Sequence, residues 1–72
     1  MEEKKITLKI GGMGCRACSE KIEKVLALLP GILEVRVDHA AGLGEIRLDP
    51  EKITSSEIIE AIEDLGYEAK EE

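Results

Sequence analysis

The chain has no tryptophan, no phenylalanine and a single tyrosine, Tyr67, in 72 residues. Histidine is almost absent as well, with His39 alone, and there are two prolines and two cysteines. Each shortage excludes something. RNA recognition on a sheet needs exposed aromatics and a basic face, and this chain has one aromatic residue and a formal charge of -6. Sixteen acidic residues against ten basic ones also exclude an anionic membrane surface as partner and suit a basic patch on another protein. No segment is apolar enough to insert into a membrane. Met1-Glu2-Glu3-Lys4-Lys5-Ile6 lacks the apolar stretch of a signal peptide, so the expected location is cytoplasmic, where thiols stay reduced. An enzyme needs a general base or activated nucleophile in a pocket, and no His or carboxylate can be assigned beside the cysteines. The expectation is a protein that is not an enzyme.

The length allows one domain, spanning residues 1–72. A chain this short buries only about 60% of the surface its unfolded form exposes, which leaves no room for a deep cavity. Its apolar residues are ordinary in number, 43%, and are mainly Ile, Leu, Val and Ala. A disulfide across C-x-x-C would constrain almost nothing. The cysteines are therefore present for chemistry and not to staple a missing core.

Hydrophobic periodicity orders the chain. Ile6, Leu8 and Ile10 alternate with Thr7 and Lys9 as a half-buried strand, which Gly11-Gly12-Met13-Gly14 breaks. From Cys15 the period becomes helical, with Cys18, Ile22, Val25 and Leu29 on one face and Leu26 beside them, up to Pro30-Gly31. Leu33, Val35 and Val37 form a second strand, His39 to Gly44 a turn, and Ile46 and Leu48 a third strand. Thr54-Ser55-Ser56-Glu57 has the form of a capping box opening a helix with Ile58, Ile59, Ile62 and Leu65 on its apolar face. Gly66 suits the C′ position, and Tyr67 and Ala69 alternate in a short last strand before Lys70-Glu71-Glu72. The expected core contains Ile6, Leu8, Ile22, Val25, Val35, Ile46, Ile58 and Ile62.

The order βαββαβ predicts an α+β, ferredoxin-like fold: a four-stranded antiparallel sheet, order 4-1-3-2, with two helices on one face. The loop before the first helix, the His39–Gly44 turn and the Gly66-Tyr67 junction then emerge at one end of the sheet. Cys15 lies at the mouth of that helix and Cys18 one turn in. The free N–H groups and positive dipole end there favour thiolate. Arg16 between them adds a cation, though a solvated surface arginine is the simpler role. Two thiolates suffice for a near-linear complex with a soft ion such as Cu(I), whereas a structural zinc site needs four ligands. Met13 reads as core filler beneath the loop, and His39 as an exposed turn residue. Glu20, Lys21, Glu23 and Lys24 read as a solvated face with i,i+4 support.

Gly12-Met13-Gly14-Cys15-Arg16-Ala17-Cys18, with Leu29-Pro30-Gly31 and Leu65-Gly66-Tyr67-Glu68-Ala69, resembles the heavy-metal-associated domain family. That family comprises small copper chaperones, N-terminal domains of metal-transporting P-type ATPases and mercury-binding proteins. The resemblance implies a motif loop over residues 11–18 and metal ligands at Cys15 and Cys18. It implies Cu(I) as the ion, with Hg(II), Zn(II) or Cd(II) as alternatives. Met13 matches an inward-packing methionine that does not bind metal, and Tyr67 matches a tyrosine near the metal in bacterial copper chaperones. Gly14 departs from the family, which usually has Ser or Thr there and often Asp in zinc or cadmium transporters. The implied partner is a copper-transporting P-type ATPase or another metal-binding domain, with the chain a monomer or a metal-bridged dimer. The start at Met1 and the charged end favour a free chaperone over a domain of a longer ATPase. In a different class, small-ligand-sensing regulatory domains share βαββαβ and a similar Leu29-Pro30-Gly31-Ile32 turn, but that reading leaves the Gly-Met-Gly-Cys loop unexplained.

Overall fold

The computed structural model describes residues 3–72; Met1 and Glu2, the start of the N-terminal segment read above, lie outside them. The elements are β1 (Lys4–Gly11), α1 (Arg16–Ala27), β2 (Ile32–Asp38), β3 (Leu43–Leu48), α2 (Ser55–Asp64) and β4 (Glu68–Glu71). The strands form one antiparallel sheet in the order β2-β3-β1-β4. This is the expected ferredoxin-like βαββαβ arrangement. Strand β1 is interior, opposing Ile6 to Ile46 of β3 and Ile10 to Ala69 of β4.

One face of the sheet carries Ile6, Leu8, Ile10, Val37, Ile46 and Leu48 into the core. Ile22 and Leu26 of α1, Ile58 and Ile62 of α2, and Ile53 from the preceding loop complete it. The period-2 and period-3.6 patterns meet here because each element buries only one face. The opposite face of the sheet is laced with charge. Lys5 pairs with Glu45 at 3.4 Å, and Arg47 sits between Glu3 (3.1 Å) and Glu34 (2.6 Å). Exposed pairs like these add little stability but keep a broad sheet surface wet.

Several expectations need correction. Leu33 does not join Val35 and Val37 in the alternation: it is 55% exposed, because the register with β3 shifts between Ile32 and Glu34. An extra residue in one strand turns its side chain out of phase with its neighbours. Val25 and Val35 are only half-buried, and Leu26 takes the fully buried place on α1. Helix α1 ends at Ala27, so Leu29 packs half-buried beyond it. Leu43 and Gly44 belong to β3 and not to the turn. Lys70 and Glu71 are part of β4, while Tyr67 stands just before it. Thr54 does accept the Glu57 amide at 3.3 Å, but its hydroxyl also faces the Glu57 carboxylate at 3.5 Å, so only half of the capping box forms. Of the expected support on α1, the described residues show one pair, Arg16–Glu20 at 3.6 Å.

Neither cysteine belongs to the buried core, so no core residue is a candidate metal ligand. The reduced, metal-free chain should unfold cooperatively in urea, with circular dichroism unchanged by a chelator. In the same assay Leu26→Ala should cost about 2–5 kcal/mol by leaving a core cavity. Leu28→Ala, at a side chain 84% exposed, should stay within about 0.5 kcal/mol. A chain that unfolds on chelation would instead have a structural metal site.

Candidate metal centre

Strand β1 stops pairing at Gly11, opposite Glu68 of β4. The chain then turns tightly, with the Gly14 amide donating back to the Gly12 carbonyl at 3.1 Å. It enters α1 through Cys15, whose extended backbone (φ -151°, ψ 160°) makes it the N-cap. Ser, Thr, Asp or Asn normally fills that position and bonds an amide of the first turn. The Cys15 side chain makes no such bond and is exposed, which leaves its sulfur available to something else. Cys18 lies one turn in, half-buried, with its amide on the Cys15 carbonyl at 3.1 Å. Ser19 behind it is buried and satisfied internally, its hydroxyl donating to the Arg16 carbonyl at 2.8 Å.

Tyr67 reaches this site through the end of α2. The helix closes with the Gly66 amide on the Glu63 carbonyl (2.9 Å) and the Tyr67 amide on the Ile62 carbonyl (3.4 Å). These are the two bonds of a Schellman ending, and they need φ > 0 at C′, which Gly66 provides at +98°. Tyr67 is thereby held at the same end of the sheet as the Gly12 turn. A Cβ on Gly12 would lie 3.6 Å from the Tyr67 ring, so ring and turn are in near contact. Cys15 and Tyr67 both stand beside the Cys18 thiol as hydrogen-bonding neighbours. These two contacts, Cys15 the stronger, hold the Cys18 thiol below its ordinary pKa against a smaller opposing effect of burial. Hydrogen bonding to Cys18 favours the protonated Tyr67 hydroxyl and pushes its pKa up, with burial and the neighbouring thiolates adding to the same direction.

The cysteines and Tyr67 are thus brought together. Met13 packs half-buried against the core. His39 is exposed in the β2–β3 turn. Arg16 is exposed and paired with Glu20, outside the sulfur cluster. Among the described residues no set of three or more His, Cys, Asp or Glu side chains gathers to hold a metal ion. A Cβ on Gly14 would meet nothing within 4 Å, so neither space nor backbone demands glycine there.

The heavy-metal-associated domain model matches residues 7–68. The chain belongs to that family. Within it, the chain is 46% identical over 61 residues to the cation-transporting ATPase HMA5 of Oryza sativa subsp. japonica, covering 85% of this chain and 6% of the ATPase. Among solved structures it resembles a copper binding domain from HMA7, a P-type ATPase, with TM-score 0.92, 32% identity and 94% and 92% of the two chains covered. It also resembles the CopZ metallochaperone, with TM-score 0.89, 28% identity and 93% and 100% covered. This heavy-metal-associated domain spans between 4% and 9% of the length of the curated ATPases it matches.

Because the Tyr67 hydroxyl stabilises the Cys18 thiolate, its removal should raise the Cys18 pKa. An ultraviolet titration of thiolate absorbance in the reduced, metal-free chain should show the first ionisation at higher pH in Tyr67→Phe than in the wild type. An identical titration in both would mean that Tyr67 only packs over the loop.

Proposed function

We propose that this heavy-metal-associated domain binds one Cu(I) between the thiolates of Cys15 and Cys18 and passes it on by ligand exchange. The observation that carries the reading is the pairing of an exposed N-cap cysteine with a second cysteine whose thiolate is already favoured. Among the described residues no His, Asp or Glu joins them in a group of three that could hold a metal ion, and the nearby Tyr67 hydroxyl is held neutral by its contact with Cys18. Thiolates are soft ligands that suit Cu(I), and two of them complete a linear complex. Zn(II) would need two further ligands. The domain therefore acts by binding and not by catalysis, with residues 1–72 as one unit.

Transfer follows from the asymmetry of the pair. An incoming thiolate bonds to copper while the Cu–S bond to Cys15, exposed and without a cap hydrogen bond, breaks first. A second incoming thiolate then bonds to copper as the bond to Cys18, the less exposed of the two, breaks. Copper stays bonded to sulfur throughout, and the released thiolates remain as the apo pair.

The acceptor should carry a basic patch around its own cysteine pair. Helix α2 supports this: Glu57, Glu60, Glu63 and Asp64 are all exposed and the helix has no basic residue. Glu63 and Asp64 even sit in its last turn, where the helix dipole disfavours negative charge. That turn leads into Gly66 and Tyr67, so the acid flanks the copper loop. A related domain on a copper-transporting ATPase fits as partner. The small share of each ATPase that the chain spans favours an equivalent role for the site, as the receiving domain of such a transporter. Both roles use the same two thiolates, and both place the copper loop in the cytoplasm.

A chelator competition titration under reducing conditions should give one Cu(I) per chain, with weaker retention of Zn(II). Cys15→Ser and Cys18→Ser should each abolish chelator-resistant binding, because a two-coordinate site has no spare ligand. Stoichiometric retention by either variant would sink the assignment. Stopped-flow transfer to a candidate acceptor domain should slow as ionic strength rises, since salt screens steering between charged surfaces. A rate that is flat or rises with salt would remove the acidic surface from docking.

A further inference from the structure

We infer that Asp38, at the tip of the β2–β3 hairpin, is a positioning residue for the Cys15–Cys18 loop, acting through Gly42 and Ile10. The Asp38 carboxylate accepts the amides of Ala40 (2.9 Å) and Ala41 (3.3 Å). Its backbone carbonyl accepts the Gly42 amide at 2.9 Å. The four-residue tip is closed on itself by these three bonds. Its closure aims one carbonyl outward: Gly42 accepts the Ile10 amide at 2.8 Å. Regular pairing between β1 and β3 has by then ended, at Lys9 opposite Leu43. The Gly42–Ile10 bond therefore extends the hold on β1 to its last core residue, directly before Gly11 and the turn into Cys15.

On its other side Ile10 opposes Ala69, one residue before Gly11 opposes Glu68. The root of the loop is thus gripped from two directions, by the hairpin tip and by the start of β4. The grip on the hairpin side depends on a shape that few sequences hold. Gly42 sits at φ +69°, and a Cβ there would lie 3.3 Å from the Ile10 carbonyl oxygen. Gly44, one step into β3, is equally close: its added Cβ would lie 3.0 Å from Ile10 Cδ1. Asp38 itself is exposed and enters no ion pair among the described residues, so its carboxylate is spent on the tip. A hairpin needing only to reverse direction would not require this contact with a third strand.

The inference deepens the copper reading, because the loop it steadies is the one that would hold the ion, and the test separates the two. Amide hydrogen exchange on the reduced, metal-free chain compares wild type with Asp38→Ala, Asp38→Asn and Gly42→Ala. Asp38→Ala and Gly42→Ala should speed exchange at Ile10 and across Gly12–Cys15 by about three- to tenfold, the scale of one net hydrogen bond. Ile58 and Ile62 in α2 should be unchanged. Asp38→Asn, whose amide oxygen can accept the same two bonds, should restore wild-type exchange. In the copper-loaded chain, Asp38→Ala should raise the rate at which a chelator extracts Cu(I), with Asp38→Asn again close to wild type. Faster exchange confined to residues 39–42, with Ile10 and the loop unaffected, would overturn the inference, as would equal loosening of loop and α2. Should the wild type bind no Cu(I), the copper reading falls while the metal-free exchange still decides this one. Should Asp38→Ala fail to fold, Gly42→Ala and Asp38→Asn make the same comparison.

Discussion

Strand β1 lies inside the sheet, hydrogen-bonded to β3 on one side and β4 on the other, and it sends Ile6, Leu8 and Ile10 into the core. Its position is over-determined by pairing and by burial together, because a slip of one residue would turn all three side chains to water. The Gly11–Cys15 turn begins where those constraints end. Everything at that end of the molecule is arranged around this one stop. The helix must start at Cys15, the hairpin tip meets Ile10, and the Schellman ending of α2 sets Tyr67 against Gly12. The sulfur pair follows directly on the strand that is paired on both sides and buried along one face.

That placement keeps the reactive site apart from the residues that make the core. Among the described residues, the eleven buried hydrophobic ones lie on the sheet's inner face, on the two helices and in the loop before α2. None is a cysteine. The site can be exposed because stability is supplied elsewhere, and exposure is what exchange of an ion between proteins requires. Charge is divided along the same lines. The open face of the sheet matches Lys5 with Glu45 and Arg47 with Glu3 and Glu34, while the acids of α2 form no ion pair among the described residues. The surface is thus neutralised where nothing docks in the proposed scheme and left anionic where a basic partner would approach.

Much of this was legible in the sequence. Alternation in β1 and β3, the helical steps through Ile22 and Ile62, and Gly66 after α2 each express a local rule that the fold also obeys. The cysteine pair was legible because its spacing sits at a strand-to-helix break, which few other sites share. What could not be read was non-local. The alternation runs unbroken through Leu33, and only the pairing of Ile32 with Leu48 and Glu34 with Arg47 makes it a bulge. Tyr67 alternates correctly with Ala69, yet its amide is taken by Ile62 and so is lost to the strand. Asp38 did carry a signal, since Asp before a small-residue turn ending in Gly favours bonding to its own following amides. Its connection to Ile10 depended on the order of strands and on where β1 stops pairing.

The central claim is that two sulfurs, and nothing else in the chain, make the metal centre. X-ray absorption at the copper edge of the Cu(I)-loaded, reduced chain measures that directly. The account predicts a first shell of sulfur alone, low in coordination number, and unaltered by His39→Ala. A shell containing imidazole nitrogen or oxygen, or one that changes on removal of His39, would contradict it.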